Sequence, residues 1–277
     1  MLTKNIAKML PVILLFSLLF LTSCTSKADL DPVRPVEANS EIGITDETEE
    51  HSDNSRKDNS SSSVTEIFPT ENPESLLVLV NKKFYLDQDY VPQDLTVPNV
   101  SFSFEGYDPK KQLRQEAALA LETLFVDALN NGHKLYAVSG YRSYQRQAAI
   151  FESNVNKRGW DKATQISAQA GHSEHQTGLA MDITSAAVNY ALVQSFAETV
   201  EGKWVAANAH LHGFIIRYPK GKENLTGYMY EPWHLRYVGI AEATYIKENN
   251  LILEDFLESH LETFWEQKST VNDENPE

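Results

Sequence analysis

Gly171 to Ile183 reads Gly-His-Ser-Glu-His-Gln-Thr-Gly-Leu-Ala-Met-Asp-Ile, and it is answered far downstream by Glu231-Pro232-Trp233-His234. These two stretches constrain the fold more than any other part of the chain, because their chemistry is complete only where they meet. Imidazole nitrogens and carboxylate oxygens are ligands that Zn²⁺ accepts, and a catalytic zinc holds three protein ligands and leaves a fourth position open. His175, Asp182 and His234 supply three such ligands, with Glu231 left over as a proton carrier beside that position. The expectation is a zinc hydrolase. Taken singly, His175 or Asp182 is more readily a surface or hydrogen-bonding residue, so the surroundings have to decide.

Leu179, Met181 and Ile183 alternate with Ala180 and Asp182, the two-residue period of a half-buried strand. Asp182 is therefore expected on the face away from the apolar residues. Gly178 breaks the chain just before, leaving His175 on a loop that can fold back toward Asp182. In the second stretch Pro232 disfavours helical geometry at Glu231, which excludes the helical His-Glu-x-x-His arrangement of other zinc proteases. Trp233 to Val238 is expected as a strand. In a regular strand Glu231 and His234 point to opposite faces, so a bend at Glu231-Pro232 is required if both address one metal.

With its Ser-x-His-x6-Asp and Glu-x-x-His pair, the chain resembles the VanY/LdcB-type metallo-carboxypeptidases, which trim D-alanine from the stem peptides of bacterial peptidoglycan. Ser139-Gly140-Tyr141-Arg142-Ser143, Gly213-Phe214-Ile215-Ile216-Arg217-Tyr218-Pro219, and Thr226-Gly227-Tyr228 through Glu231 to Gly239 agree in the same order, across about Leu76 to Asn250. Ala170 departs from the pattern, where relatives often carry proline. The resemblance implies Zn²⁺ on His175, Asp182 and His234, Glu231 as catalytic base and acid, and Arg142 holding the substrate or the oxyanion. It also implies substrate contacts at Gln147 and Ser173, and an L,D- or D,D-carboxypeptidase acting on stem peptides that end in D-Ala. The Tyr218 and Tyr228 segments lean toward the L,D bond.

Lys4 and Lys8 precede an apolar run, Met9 to Leu21, that ends in small residues before Cys24. That order describes a secretory signal peptide, and the run is shorter than the roughly twenty apolar residues of a membrane span. Leu21-Thr22-Ser23-Cys24 resembles the lipoprotein box, which implies lipidation of Cys24, the sole cysteine. The expected organisation is a signal peptide over 1–23, an acidic, Ser-rich disordered linker over 24–73, a zinc carboxypeptidase domain over 74–267 and a disordered tail over 268–277. The protein is then exported, a monomer, and lipid-anchored to the outer face of the cell membrane. Of the net charge of −15, residues 29–60 carry −7 and the stretch from 248 carries −8. Residues 1–28 carry +3, which leaves −3 on 61–247. A near-neutral core with acidic ends gives nucleic acid no footprint.

The domain reads as α+β, a small antiparallel sheet flanked by helices without a βαβ repeat. Strands are expected at Leu76 to Val80, Leu135 to Val138 and Phe214 to Arg217. Helices are expected over Lys110 to Asn130, from a Ser143 cap to about Lys157, over Tyr190 to His210 with a kink near Gly202, over Ile240 to Asn249, and from Leu251 to about Trp265. Arg142 falls between strand and helix, beside orphan backbone N–H groups suited to an anion. His172, His210 and His212 are expected as hydrogen-bonding residues, with support of the metal site open to His172. Trp233 and Tyr237 are expected in the core. Arg217, Tyr218 and Arg236 are placed either at the cleft or, for the two arginines, against carboxylates. A metallo-endopeptidase acting on cross-links shares the same signature. A non-catalytic wall-binding lipoprotein would need a broken site, whereas all four expected residues are present, and the signal sequence argues against a cytoplasmic structural protein.

Overall fold

The computed structural model describes Phe68 to Phe264. The signal peptide, Cys24, most of the linker and the 268–277 tail lie outside the described residues. Phe68–Pro69 (β1) pairs in parallel with Phe84–Tyr85 (β2), so pairing begins ahead of the expected edge at Glu74. Leu95–Thr96 (β3) runs antiparallel to Leu113–Arg114 (β4).

Helix α1, Gln115–Asn130, starts later than the expected Lys110. Asp108 caps a single tight turn at Pro109–Lys111, and Arg114 N–H donates to the Gly178 carbonyl at 2.8 Å, so these backbone groups are spent before the helix begins. The helix buries Ala117, Ala118, Leu121, Leu124, Phe125 and Ala128, the three-and-four spacing of one face. Next come Tyr136–Ser139 (β5) and Tyr144–Arg158 (α2), the latter capped by the Ser143 hydroxyl, which accepts from Arg146 N–H at 3.2 Å. Trp160–Ile166 (α3), Ala180–Thr184 (β6), Val200–Asn208 (α4), Phe214–Tyr218 (β7), Glu223–Thr226 (α5), Glu231–Tyr237 (β8), Ile240–Glu248 (α6) and Leu253–Asp255 (α7) follow. The chain leaves α7 through a wider π-turn at Phe256–His260. Among the described residues no helix is long and apolar enough to cross a membrane.

One antiparallel sheet, in the order β5-β6-β8-β7, organises the domain. One face carries Ala137, Met181, Ile183, Phe214, Leu235 and Tyr237 into the main core against α1. At the other, Ile215 joins Ala243, Ile246, Leu253 and Phe256 in a second cluster under α6 and α7. The remainder of that second face is polar, and it holds the site. The fold is thus α+β, as expected.

Two elements differ from the sequence reading. Leu76 to Val80 alternates as a strand does, with Val78 and Val80 in the main core and Leu77 and Leu79 against the second cluster, yet among the described residues it pairs with no strand. Its carbonyls are taken by a side chain instead, as Arg236 Nη2 donates to Leu76 O at 2.9 Å and Val78 O at 2.8 Å. Tyr190 to His210 is not one helix. Asn189 and Tyr190 adopt left-handed φ of 52° and 60°, a tight turn covers Gln194–Glu198, and α4 begins only after Thr199. Gly202 is no kink: it lies in the first turn of α4, where a Cβ would sit 1.9 Å from the Phe196 carbonyl oxygen. Glycine is there because the preceding turn crosses against the helix.

Candidate active site

The register of β6 against β8 sets Asp182 directly opposite His234, and cross-strand partners lie about 4.5–5.5 Å apart at Cβ. Leu179, Met181 and Ile183 turn into the core as the alternation requires, which leaves Asp182 on the polar face. His175 reaches the same point from a tight turn at Glu174–Thr177, closed by Gly178 at φ 68°. Ligand atoms of His175, Asp182 and His234 all lie within 4.8 Å of one another, and the three residues are buried.

The bend demanded by Glu231-Pro232 is present. Leu235 of β8 faces Ile216 of β7, yet Glu231, not Trp233, faces Tyr218, so β8 bulges between these pairs. Pro232 has no N–H to give to a ladder, which suits it to such a place. The bulge carries Glu231 round to the His234 side, with Glu231 Oε2 at 3.8 Å from His234 Nδ1.

Hydrogen bonds sort the ring nitrogens. His175 Nδ1 lies 2.8 Å from the Gly140 carbonyl, which accepts only from an N–H, so Nε2 is left bare, 3.4 Å from Asp182 Oδ2. His234 turns Nε2 to Glu174 Oε2 at 3.5 Å and Nδ1 to Asp182 Oδ1 at 3.1 Å. Asp182 Oδ1 is buried and accepts no hydrogen bond among the described residues. Buried polar atoms are rarely left so, and a carboxylate that turns one oxygen to each of two imidazoles is the donor set for a divalent zinc ion.

Electrostatics agree. Burial, reinforced by the Arg142 charge, pushes His175 down to about 3, the neutral form a ligand needs. Burial works against charge on His234 too, but the Asp182 and Glu174 carboxylates that face its two nitrogens outweigh it and hold the ring up at about 9. A cation entering here therefore displaces a proton. Burial raises the Glu231 carboxyl to about 7, near the operating range of a neutral-pH general base.

Arg142 completes the wall. Its Nη1 donates to Gln147 Oε1 at 2.7 Å and its Nη2 to Ser139 Oγ at 3.1 Å, while Gln147 Nε2 donates to the Ala168 carbonyl at 2.5 Å. Arg142, Gln147, Ser173, His175, Asp182, Glu231 and His234 all line one cleft of about 260 Å³, so every expected site residue except Cys24, which lies outside the described residues, comes together. Gln147 faces the cleft mainly as the support of Arg142. Trp233 both packs on the core and lines the cleft, and Tyr237 is in the core with its hydroxyl on Glu116 at 2.8 Å. His172 stands outside, its Nδ1 2.7 Å from Asn81 O, and His212 pairs with Asp127 at 3.1 Å.

Sequence reasoning missed Glu174. Fully buried, it receives Arg217 Nε and Arg236 Nη1 on Oε1, each at 2.7 Å, and turns Oε2 to His234. Burial would raise its carboxyl, but the two guanidinium charges hold it well below the usual range. The available signal was Arg217 and Arg236 themselves, two cations in strand positions that need a buried anion.

Comparison with known proteins matches residues 110–240 to the VanY family, D-alanyl-D-alanine carboxypeptidase. YodJ of Bacillus subtilis (strain 168), a candidate carboxypeptidase, is 53% identical over 188 residues, 68% of this chain and 69% of that one. The LD-carboxypeptidase LdcB has a solved structure that superimposes with a TM-score of 0.67 at 52% identity, over 69% of this chain and 90% of LdcB. A variant of the D,D-pentapeptidase VanY from a VanB-type vancomycin resistance cassette, in complex with Zn(II), gives 0.53 at 31% identity, over 65% and 98% of the two chains.

Proposed function

The chain belongs to the VanY D-alanyl-D-alanine carboxypeptidase family, and from that premise we propose that it removes C-terminal D-alanine from peptidoglycan stem peptides. It is an enzyme of the zinc carboxypeptidase class. His175 through Nε2, Asp182 and His234 through Nδ1 would hold the zinc. When bound, the ion supplies Lewis acidity, polarising a carbonyl and acidifying water. Glu231 takes the proton of the attacking water and returns it to the departing amine, so that the peptide bond breaks into a free carboxylate and free D-alanine.

One observation carries the exopeptidase reading: among the described residues Arg142 is the only lysine or arginine lining the cleft, and it is held there by Gln147 and Ser139. A fixed guanidinium fork matches a carboxylate, and a terminal carboxylate is what distinguishes the end of a peptide from its middle. We assign Arg142 to that group and Ser173, on the same wall, to a substrate contact. The greater identity to an LD-carboxypeptidase than to a D,D-pentapeptidase supports the bond between the third-position diamino acid and D-Ala of a tetrapeptide. Cys24 after its apolar leader supports export and a lipid anchor that keeps the enzyme at the outer membrane face, within reach of nascent wall.

The test is release of D-alanine by purified zinc-loaded protein from tetrapeptide, from pentapeptide and from a tetrapeptide with an amidated C-terminus. The tetrapeptide should be cut fastest and the amide refused. Cleavage of the amide at the tetrapeptide rate would remove Arg142 from its role and favour an endopeptidase.

A further inference from the structure

Beside the catalytic cleft lies a second cavity of about 130 Å³, walled by Lys82, Thr164, Ser167, Gln169, His172 and Tyr228. Ser167 and Tyr228 line both spaces, so the two are continuous. Every wall residue carries a hydrogen-bonding side chain, and none is an aspartate or glutamate. The cavity thus holds a cation and, among the described residues, no counter-charge. Lys82 enters no ion pair among them, and partial burial lowers its pKa with no carboxylate offsetting the loss of water.

Lys82 is also placed. Its stem crosses Gly227, where a Cβ would come within 3.0 Å of Lys82 Cδ, and φ is +74°. Its Nζ sits 4.9 Å from the centre of the Tyr228 ring. Tyr228 packs on Tyr218 at 4.8 Å, and Tyr218 on the His234 ring at 5.0 Å, so two aromatic rings separate this ammonium from the metal triad. A peptide with its terminal carboxylate on Arg142 and its last bond at the triad has its upstream residues to place, and this cavity adjoins.

We propose that the Lys82 cavity is the subsite for a carboxylate that the substrate carries within two residues upstream of the scissile bond. This rests on the stem-peptide reading above and names a feature of the peptide that it left open. Lys82 supplies the charge, and the surrounding hydroxyls and amide supply hydrogen bonds.

The experiment uses pairs of synthetic peptides ending in D-alanine that differ only in a free upstream carboxylate or its carboxamide. One pair is changed at the residue before the D-alanine and a second pair at the residue before that. Binding to zinc-loaded protein carrying Glu231→Gln is measured by calorimetry, with and without Lys82→Met or Lys82→Arg. An exposed ion pair predicts a carboxylate preference of about three- to fivefold in one of the pairs, abolished by Lys82→Met and kept by Lys82→Arg. No preference in either pair, or one that survives Lys82→Met, overturns the proposal. Failure of the wild-type enzyme to release D-alanine from any of these peptides would instead overturn the activity, while the binding comparison would still decide the subsite.

Discussion

His234 has two sides, and they are built on opposite rules. Toward the cleft, Asp182 Oδ1 is buried and left bare. Toward the interior, Arg217 gives Nε to Glu174 and both terminal nitrogens to Glu254 at 2.8 and 2.6 Å. Arg236 likewise spends Nε on Tyr237 O, Nη1 on Glu174, and Nη2 on two carbonyls. On the inner side both guanidinium groups are fully satisfied and Glu174 Oε1 accepts from each, although Glu174 Oε2 meets His234 Nε2 only as a 3.5 Å contact; on the outer side, among the described residues, no such network surrounds Asp182 Oδ1. The difference teaches how the site persists: polar atoms can stay unsatisfied at the cleft because the strand bearing His234 is fixed from behind.

The strongest way to break that contrast is to empty the outer side. His234→Ala should abolish stoichiometric zinc, read by elemental analysis after dialysis, and with it D-alanine release. Glu231→Gln should keep the zinc and lower turnover by roughly 10²–10⁴-fold. An undiminished rate in that variant would take Glu231 out of the proton transfer.

Attack on the inner side should read out differently. Arg217→Met leaves Glu254 without its bidentate partner and Glu174 with one arginine in place of two. Breaking a buried pair this way costs about 3–5 kcal/mol, measurable as a lower urea midpoint in metal-free protein. Glu231→Gln should leave that midpoint within about 0.5 kcal/mol of wild type. Equal destabilisation by both would mean that the two sides are not distinct. At the cleft rim, Arg142→Lys keeps the charge but loses the fork. KM should rise by about tenfold with little change in kcat, because Gln147 and Ser139 can no longer orient two N–H groups at once.

The outer side was legible in the sequence and the inner side was not, for a physical reason. Ligands must come from a short menu of side chains at set spacings, so His175, Asp182, Glu231 and His234 announce themselves, and the alternation of Leu179, Met181 and Ile183 even fixed which face Asp182 takes. Pro232 forced the question of a bend before the register shift answered it. Glu174 lies in the same motif, but an acid beside a histidine in sequence says nothing about two arginines more than forty residues further on. The misread strand at Leu76 to Val80 has the same origin. Its apolar alternation was genuine, serving two cores, while the partner for its carbonyls was a distant guanidinium that no local pattern reveals. Glu254 and Asn81 complete this network from opposite ends of the domain, at 3.0 Å from each other.

Glu254 gives the gentlest test. Burial would raise its carboxyl, but the Arg217 charge and the hydrogen bonds from Arg217 and Asn81 outweigh that and leave it lowered. A carboxyl with a lower pKa in the folded chain binds protons more readily when unfolded. Its stabilisation is therefore complete above the ordinary glutamate value of about 4.3 and is lost as pH falls through the lowered folded value. Glu254→Gln removes this titration. The variant should lose about 1–3 kcal/mol at pH 7, and the deficit should shrink as the pH falls from about 5 to 2, read from urea unfolding of metal-free protein at each pH. The acid slope should flatten and not vanish, because Glu174 has a depressed folded pKa of the same sign. Parallel slopes for wild type and variant would mean that the Arg217–Glu254 pair does not form in solution. The inner face of His234 would then rest on Glu174 alone, and the contrast between its two sides would lose its structural cause.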